Sequence, residues 1–178
     1  MGAVPPRARA GSATNGSKRL AIDDGRILGW REWVSLPDLG ITAIKAKLDT
    51  GARTSALHAW NAEPIRIDGK PWVRFRTFPL EGPAATPVVC EAPLSDQRWV
   101  TNSGGMREWR CVISTRLSIA DESWPIELTL ANRDPMGFRM LVGREAMRGR
   151  FIVDPRRSYR SGRYTDLHKT SEGNLTAL

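Results

Sequence analysis

The stretch "KLDTGARTSALHA", Lys47 to Ala59, decides how this chain is read. It follows "ITAIKAKL", in which Ile44, Ala46 and Leu48 are apolar at a period of two, the pattern of a half-buried strand. Asp49, Thr50 and Gly51 come directly after that strand. An aspartate followed closely by glycine is usually a turn, with the carboxylate bonding the next backbone amides and the glycine taking a positive φ. An ordinary exposed turn would continue polar, but Ala52, Thr54, Ser55, Ala56 and Leu57 follow. This is the pattern of a turn held inside a core, where an aspartate needs a reason to be. Two readings stand at this point, a carboxylate that holds a turn and a carboxylate that holds a proton.

On either side of this stretch the chain reads as short strands separated by turn residues. "RILGWREWVSL" has strand composition and "PDLG" turns it; "SALHA" reads as the next short strand. "IRIDGKPWVRFRTF" is a hairpin about Asp68-Gly69, a favoured turn pair flanked by alternating apolar residues. "VVCEAPL" reads as a short strand, "TNSGG" as a loop, and "REWRCVISTRLSI" and "WPIELTL" as a hairpin about "ADES". "RMLV" is a short strand ending at Gly143, "REAMRG" one or two helical turns, and "FIVDP" a last strand stopped by Pro155. Many short strands with frequent turns predict an all-β sandwich or barrel. Residues 1–25 read as a disordered basic arm, 26–159 as the barrel domain and 160–178 as a polar tail.

Composition bounds the function more loosely. The chain has 178 residues, 40% of them apolar, enough for one domain with a real core. A formal charge of +8 points to acidic partners or to a basic surface with basic tails. Cys90 and Cys111 are too few for a disulfide framework and read as buried reduced thiols. With His58 and His168 as the only histidines, and no His-Glu-x-x-His or Cys-x-x-Cys, no metal or other cofactor is expected. No apolar run reaches the length of a membrane span and the N-terminus lacks the apolar core of a signal peptide, so the expected location is cytoplasmic.

Aspartic peptidases give an aspartate a reason to sit in such a turn. They need two carboxylates a few ångströms apart that share one proton and activate one water, because like charges that close do not both ionise easily. The glycine lets backbone approach the carboxylate, and the threonine hydroxyl can bond back into the turn. "AKLDTGARTSALHA", "SGGMREWRCVISTRLSI", "WPIELTLANRDPMGFRMLVGREAM" and "FIVDPRRSY" together resemble the retropepsin-like family often labelled ATP-dependent zinc proteases, encoded beside RimK-type ligases and in part called RimB. The resemblance runs from about Gly29 to Tyr159. It implies a closed acid-protease β-barrel with one short helix and Leu141-Val142-Gly143 packed behind the catalytic loop. Asp49, Thr50 and Gly51 would form that loop, and the dyad would be completed by Asp49 of a second copy across a two-fold axis.

The resemblance also implies a peptide or protein substrate, and the RimK association points to acidic, glutamate-rich tails. Arg53, Thr54, Gly104, Gly105 and Arg144 are the candidate substrate-binding residues, with Ser103-Gly104-Gly105 open to two readings, the tip of a mobile hairpin over the cleft or an ordinary glycine turn. Ordinary retropepsins carry an acidic or small residue where Arg53 follows Ala52. Arg53 is open to three roles: an ion pair with a glutamate, a bidentate grip on an acidic substrate group, or perturbation of the dyad. His58 reads as a core or edge histidine. The zinc and ATP of the family label gain nothing from this chain, which has no phosphate-binding loop, so a zinc-dependent hydrolase ranks last among the alternative functions. A binding module that keeps the protease fold, for an acidic partner or a ribosomal component, is the alternative function. Nucleic acid is a lesser alternative and no membrane partner is expected.

Overall fold

A computed structural model of the chain describes residues 26–162, apart from 81, 83–84, 102–104 and 133–136. Its order is β1 (Ile27–Gly29), β2 (Arg31–Leu36), a 3-10 turn (Pro37–Leu39), β3 (Ile41–Asp49), β4 (Ser55–His58), β5 (Trp60–Ile67), β6 (Lys70–Thr77), β7 (Val88–Thr101), β8 (Arg107–Ile119), β9 (Glu122–Ala131), β10 (Met140–Gly143), α1 (Arg144–Met147) and β11 (Ile152–Asp154). The fold is therefore nearly all β with one short helix, as the sequence predicts.

Strands β2, β3, β10, β4, β9 and β8 lie side by side, and pairing of Ser35 with Ser118 joins β8 back to β2. This closes a ring, and β7, β6 and β5 extend the sheet beyond β8. Alternation along β2 and β3 turns Val34, Leu36, Ile44 and Ala46 into the ring, where they meet Leu57, Ile113, Leu117, Leu128 and Met140. A continuous apolar interior of this kind supplies most of the driving force for closure. Closure also removes sheet edges that would otherwise leave backbone groups unpaired.

The Asp68-Gly69 hairpin forms as predicted, with both residues at positive φ (49° and 75°), the conformation that a two-residue hairpin turn requires. The segment read as a short strand at "VVCEAPL" is instead part of a 14-residue strand. Its first half pairs with β6 and its second half with β8, across a register shift between Leu94 and Asp96. Tertiary pairing carries the strand through residues whose local pattern is not strand-like.

Residues 160 and 161, assigned to the tail by composition, are tied to the barrel. Glu32 is fully buried and accepts the amides of Gly29 (2.5 Å), Arg160 (3.0 Å) and Ser161 (3.1 Å) and the Ser161 hydroxyl (2.8 Å). The predicted N-terminal arm, and the tail from residue 163 on, lie outside the described residues. Among the described residues no helix is long and apolar enough to cross a membrane.

Candidate active site

β10 pairs with both arms of the Asp49 loop, Met140 and Leu141 with both at once, and this builds the site. β10 runs parallel to β3, with Val142 beside Leu48 and Gly143 beside Asp49, and antiparallel to β4. One short strand thus holds the chain entering the loop and the chain leaving it. The loop rests on Gly143, where a β-carbon would lie 2.5 Å from the carbonyl carbon and oxygen of Thr54 and 2.8 Å from the carbonyl oxygen of Arg53. Only a hydrogen fits there. The Gly143 amide donates to Ser55 Oγ (3.1 Å), and Thr129 Oγ1 donates to the Ser55 carbonyl (2.9 Å).

The first turn of α1 completes the support. The Arg144 amide donates to the Ala52 carbonyl (2.9 Å) and the Glu145 amide to the Arg53 carbonyl (3.2 Å). These helix-terminal amides have no partner within the helix and are satisfied by the loop. The Arg144 guanidinium donates to the Gly51 carbonyl (2.9 Å). Arg144, expected to bind substrate, is thus an anchor of the loop and is not part of the cleft wall.

Asp49 Oδ1 accepts the amides of Gly51 and Ala52, both at 3.1 Å, while Oδ2 faces the Lys47 ammonium at 3.4 Å. Partial burial pushes the carboxyl up, but the Ala52 amide, the Lys47 charge and the Gly51 amide together outweigh it and hold Asp49 below the usual carboxylate range. In a single protomer it is ionised at neutral pH. Gly51 does not take the positive φ of the plain turn reading; a β-carbon there would stand 3.3 Å from Asp49 Oδ1, so close approach to the carboxylate is its function. Thr50 is exposed and no bond from its hydroxyl into the turn is present; the aspartate's own carboxylate holds the turn.

Asp49, Gly51, Arg53 and Thr54 line one cleft of about 1550 Å³. Residues of β7, β8 and β9, including Trp99, Thr101, Arg110 and Glu127, line the same cleft. Gly105, exposed at φ 81°, lies beyond the lining residues, and Gly104 lies outside the described residues. Arg53 pairs with Glu145 at 3.9 Å, and Glu145 also accepts Arg148 at 2.9 Å, so one carboxylate serves two guanidiniums at the rim. Elsewhere in the lining Arg98 bonds Glu127, and buried Arg110 pairs with Glu108 at 2.8 Å.

Sequence reasoning missed Lys47 as a site residue, although it lies two positions before Asp49 on one strand and therefore on the same face. His58 is buried in the core with its ring edge-on to Trp60, as predicted. Arg139 stacks on Trp60, and neither residue lines the cleft. Among the described residues no group of three or more His, Cys, Asp or Glu is placed to hold a metal ion. The described donors do not fit the zinc of that label.

A family profile described as RimB-like, "Retropepsin-like aspartic endopeptidase RimB", matches residues 27–163. Similar curated proteins are named "Probable alpha-L-glutamate ligase". The one from Parasynechococcus marenigrum (strain WH8102) is 51% identical over 136 residues, covering 76% of this chain and 29% of that protein. The one from Desulfotalea psychrophila (strain LSv54 / DSM 12343) is 52% identical over 130 residues, covering 73% and 28%. A third, from Shewanella pealeana (strain ATCC 700345 / ANG-SQ1), is 43% identical over 145 residues, covering 82% and 32%. The chain therefore spans less than a third of the length of these relatives. A crystal structure of a Legionella pneumophila protein of unknown function (DUF785) has a TM-score of 0.63 at 26% identity, covering 76% of this chain and 97% of that one.

Proposed function

This chain belongs to the RimB-like family of retropepsin-like aspartic endopeptidases, and we propose that it hydrolyses peptide bonds with a water held between Asp49 and Asp49 of a second copy. One observation carries this reading: Asp49 sits in the wall of a large cleft, on a loop fixed by Gly143, Arg144 and Glu145, with one oxygen bound by two amides. Such a rigid carboxylate is more than a turn needs. Each chain supplies one, so the site is incomplete without a partner copy, and a two-fold axis brings equivalent residues together.

The chemistry follows from the pair. When two Asp49 carboxylates approach, their repulsion raises the affinity of one for a proton, against the pull of the two Lys47 ammoniums. The ionised member takes a proton from water as its oxygen attacks the peptide carbonyl carbon. The protonated member donates to the carbonyl oxygen, giving a tetrahedral adduct. In its collapse the first carboxyl passes the proton it took from water to the leaving nitrogen, the C–N bond breaks, and a hydroxyl of the adduct returns its proton to the second carboxylate, restoring the acid.

Acidic peptides are the proposed substrates. Arg53 and Arg148 share one glutamate at the rim, leaving a surplus of positive charge there, and the relatives named as glutamate ligases connect this fold with glutamate chemistry. Mass spectrometry of a glutamate-extended peptide tests the proposal. Cleavage by the wild type and none by Asp49→Asn is expected; an unchanged mass from acidic to neutral pH overturns it.

A second reading has its own observation, since the matched segment is less than a third of proteins named as ligases. In that reading the barrel is a non-catalytic module that binds the acidic product of a ligase. Wild type would then show binding without turnover, and Asp49→Asn would bind equally well.

A further inference from the structure

The Asp49 cleft has a basic, aromatic extension along the outside of the barrel. In the antiparallel β2–β3 hairpin, Arg31 lies opposite Lys47 and Trp33 opposite Lys45. Their neighbours Glu32, Val34, Ala46 and Leu48 are buried, so alternation turns all four of these side chains outward. The block therefore holds three cations and one indole on one half-exposed face. Lys47 belongs at once to this block and to the cleft, because its ammonium stands 3.4 Å from Asp49 Oδ2.

The aromatic groups link the block to the cleft. The Arg31 guanidinium lies 4.8 Å from the Trp30 ring centre and 5.1 Å from that of Tyr159. Trp30 itself lines the cleft. Tyr159 stacks on Trp33 at 6.2 Å, and the Lys45 ammonium lies 5.6 Å over Trp33. Arg31 Nε donates to Ser158 Oγ at 3.1 Å, a neutral acceptor that leaves its charge available. The nearby carboxylate of Glu32 points inward and is saturated by four donors.

The backbone is strained to place one of these rings. Tyr159 has φ 54°, a region that side-chain-bearing residues rarely adopt, and it is held there by the hydrogen bond its amide donates to the Arg31 carbonyl (2.9 Å) and by the Glu32 clamp on the next two residues. Strain of this kind persists where the surroundings enforce it and is found at binding surfaces.

We propose that the outward face of the β2–β3 hairpin, carrying Arg31, Trp33, Lys45 and Lys47, is an exosite for the acidic segment of a peptide whose scissile region lies over Asp49. This rests on the peptide reading of the cleft. Strand geometry sets the reach. Asp49 to Lys45 is four residues of extended chain, about 13 Å, so a bound peptide engages Lys45 only if it continues about four residues past the cleft. Lys47 and Lys45 are two residues apart on one face, matching alternate side chains of an extended peptide alongside. Arg31 adds a fork that fits a carboxylate, and the indole and phenol rings cover the aliphatic parts of glutamate side chains. The surface therefore discriminates by length: short acidic peptides fill the cleft, and longer ones also reach the exosite.

Fluorescence anisotropy with labelled peptides of four and of twelve glutamates tests this on the Asp49→Asn chain, which leaves the peptides uncut. The longer peptide is expected to bind about tenfold more tightly, the scale of one or two partly exposed ion pairs, and the difference should shrink with added salt. Adding Lys45→Glu should abolish the length dependence; Lys45→Gln, a milder change, should reduce it, with thermal melts verifying that both variants fold. Equal affinity for the two lengths, or a length dependence that survives both substitutions, overturns the proposal. So does stronger competition by a single-stranded oligonucleotide than by the longer peptide, which would assign the surface to nucleic acid. Because the readout is binding, a chain that cleaves nothing yet shows the length dependence keeps the exosite and loses the peptidase reading.

Discussion

Gly143→Ala would place a methyl carbon 2.5 Å from the carbonyl carbon and oxygen of Thr54 and 2.8 Å from the Arg53 carbonyl oxygen. All three are backbone atoms, so no rotamer change relieves the clash. The Asp49 loop must move off β10, and three bonds are exposed to that movement: Gly143 to Ser55, Arg144 to Ala52 and Glu145 to Arg53. Overpacking of this kind costs about 1–3 kcal/mol, and each strained or broken bond adds up to about 1 kcal/mol. A net loss of about 3 kcal/mol corresponds to a fall in Tm of roughly 10 °C for a domain of this size. Scanning calorimetry of wild type and variant measures it. Turnover assayed well below either Tm should fall by about a hundredfold, because a shift of about 1 Å in a catalytic group is enough for that. A Tm within about 2 °C of wild type and unchanged turnover would refute the claim that the loop is fixed by close contact with Gly143.

Glu32→Gln replaces one acceptor of a saturated buried carboxylate with a donor, and should cost about 3 kcal/mol in urea unfolding and expose Arg157 and Arg160 to trypsin; an unchanged digestion pattern contradicts the clamp. Burial pushes the Cys90 thiol up to about 11, so it should resist alkylation at pH 8 in the folded protein and react on unfolding, and rapid native labelling contradicts its placement. Asp49 is held below the usual carboxylate range, so its contribution to stability is present above about pH 4 and lost as pH falls through its folded value. Urea melts of separated protomers at pH 6 and pH 3 should therefore show a larger loss for wild type than for Asp49→Asn; equal losses contradict the loop's hold on the carboxylate.

Local pattern made much of the barrel legible. The period-two run through Ile44, Ala46 and Leu48 and the Asp68-Gly69 turn each state their conformation within a few residues. What was not legible depends on partners far along the chain. The change of partner along β7 from β6 to β8 has no local signature, because the short strand read at "VVCEAPL" continues past Leu94 only once β8 lies beside it. Nothing in "RMLVG" announces that it inserts between β3 and β4; only resemblance pointed to Leu141-Val142-Gly143 as the support of the loop.

The candidate site was legible in its central residue and less so around it. Arg144 looked like a substrate cation but points at the Gly51 carbonyl, a contact set by where α1 begins. Two signals were present and unused. Glu32 falls in the buried phase with Val34 and Leu36, so its carboxylate had to find internal donors. Lys47 falls in phase with Asp49, which set an ammonium beside the candidate catalytic carboxylate.

The most direct test of the central claim is the separation of the two Asp49 carboxylates in a crystal structure of the assembled protein. A dyad requires a two-fold axis that places their oxygens within hydrogen-bond reach, about 3 Å. Assemblies in which every two-fold keeps the carboxylates well beyond that reach would contradict it, and with it the proposal that Asp49 is half of an active site.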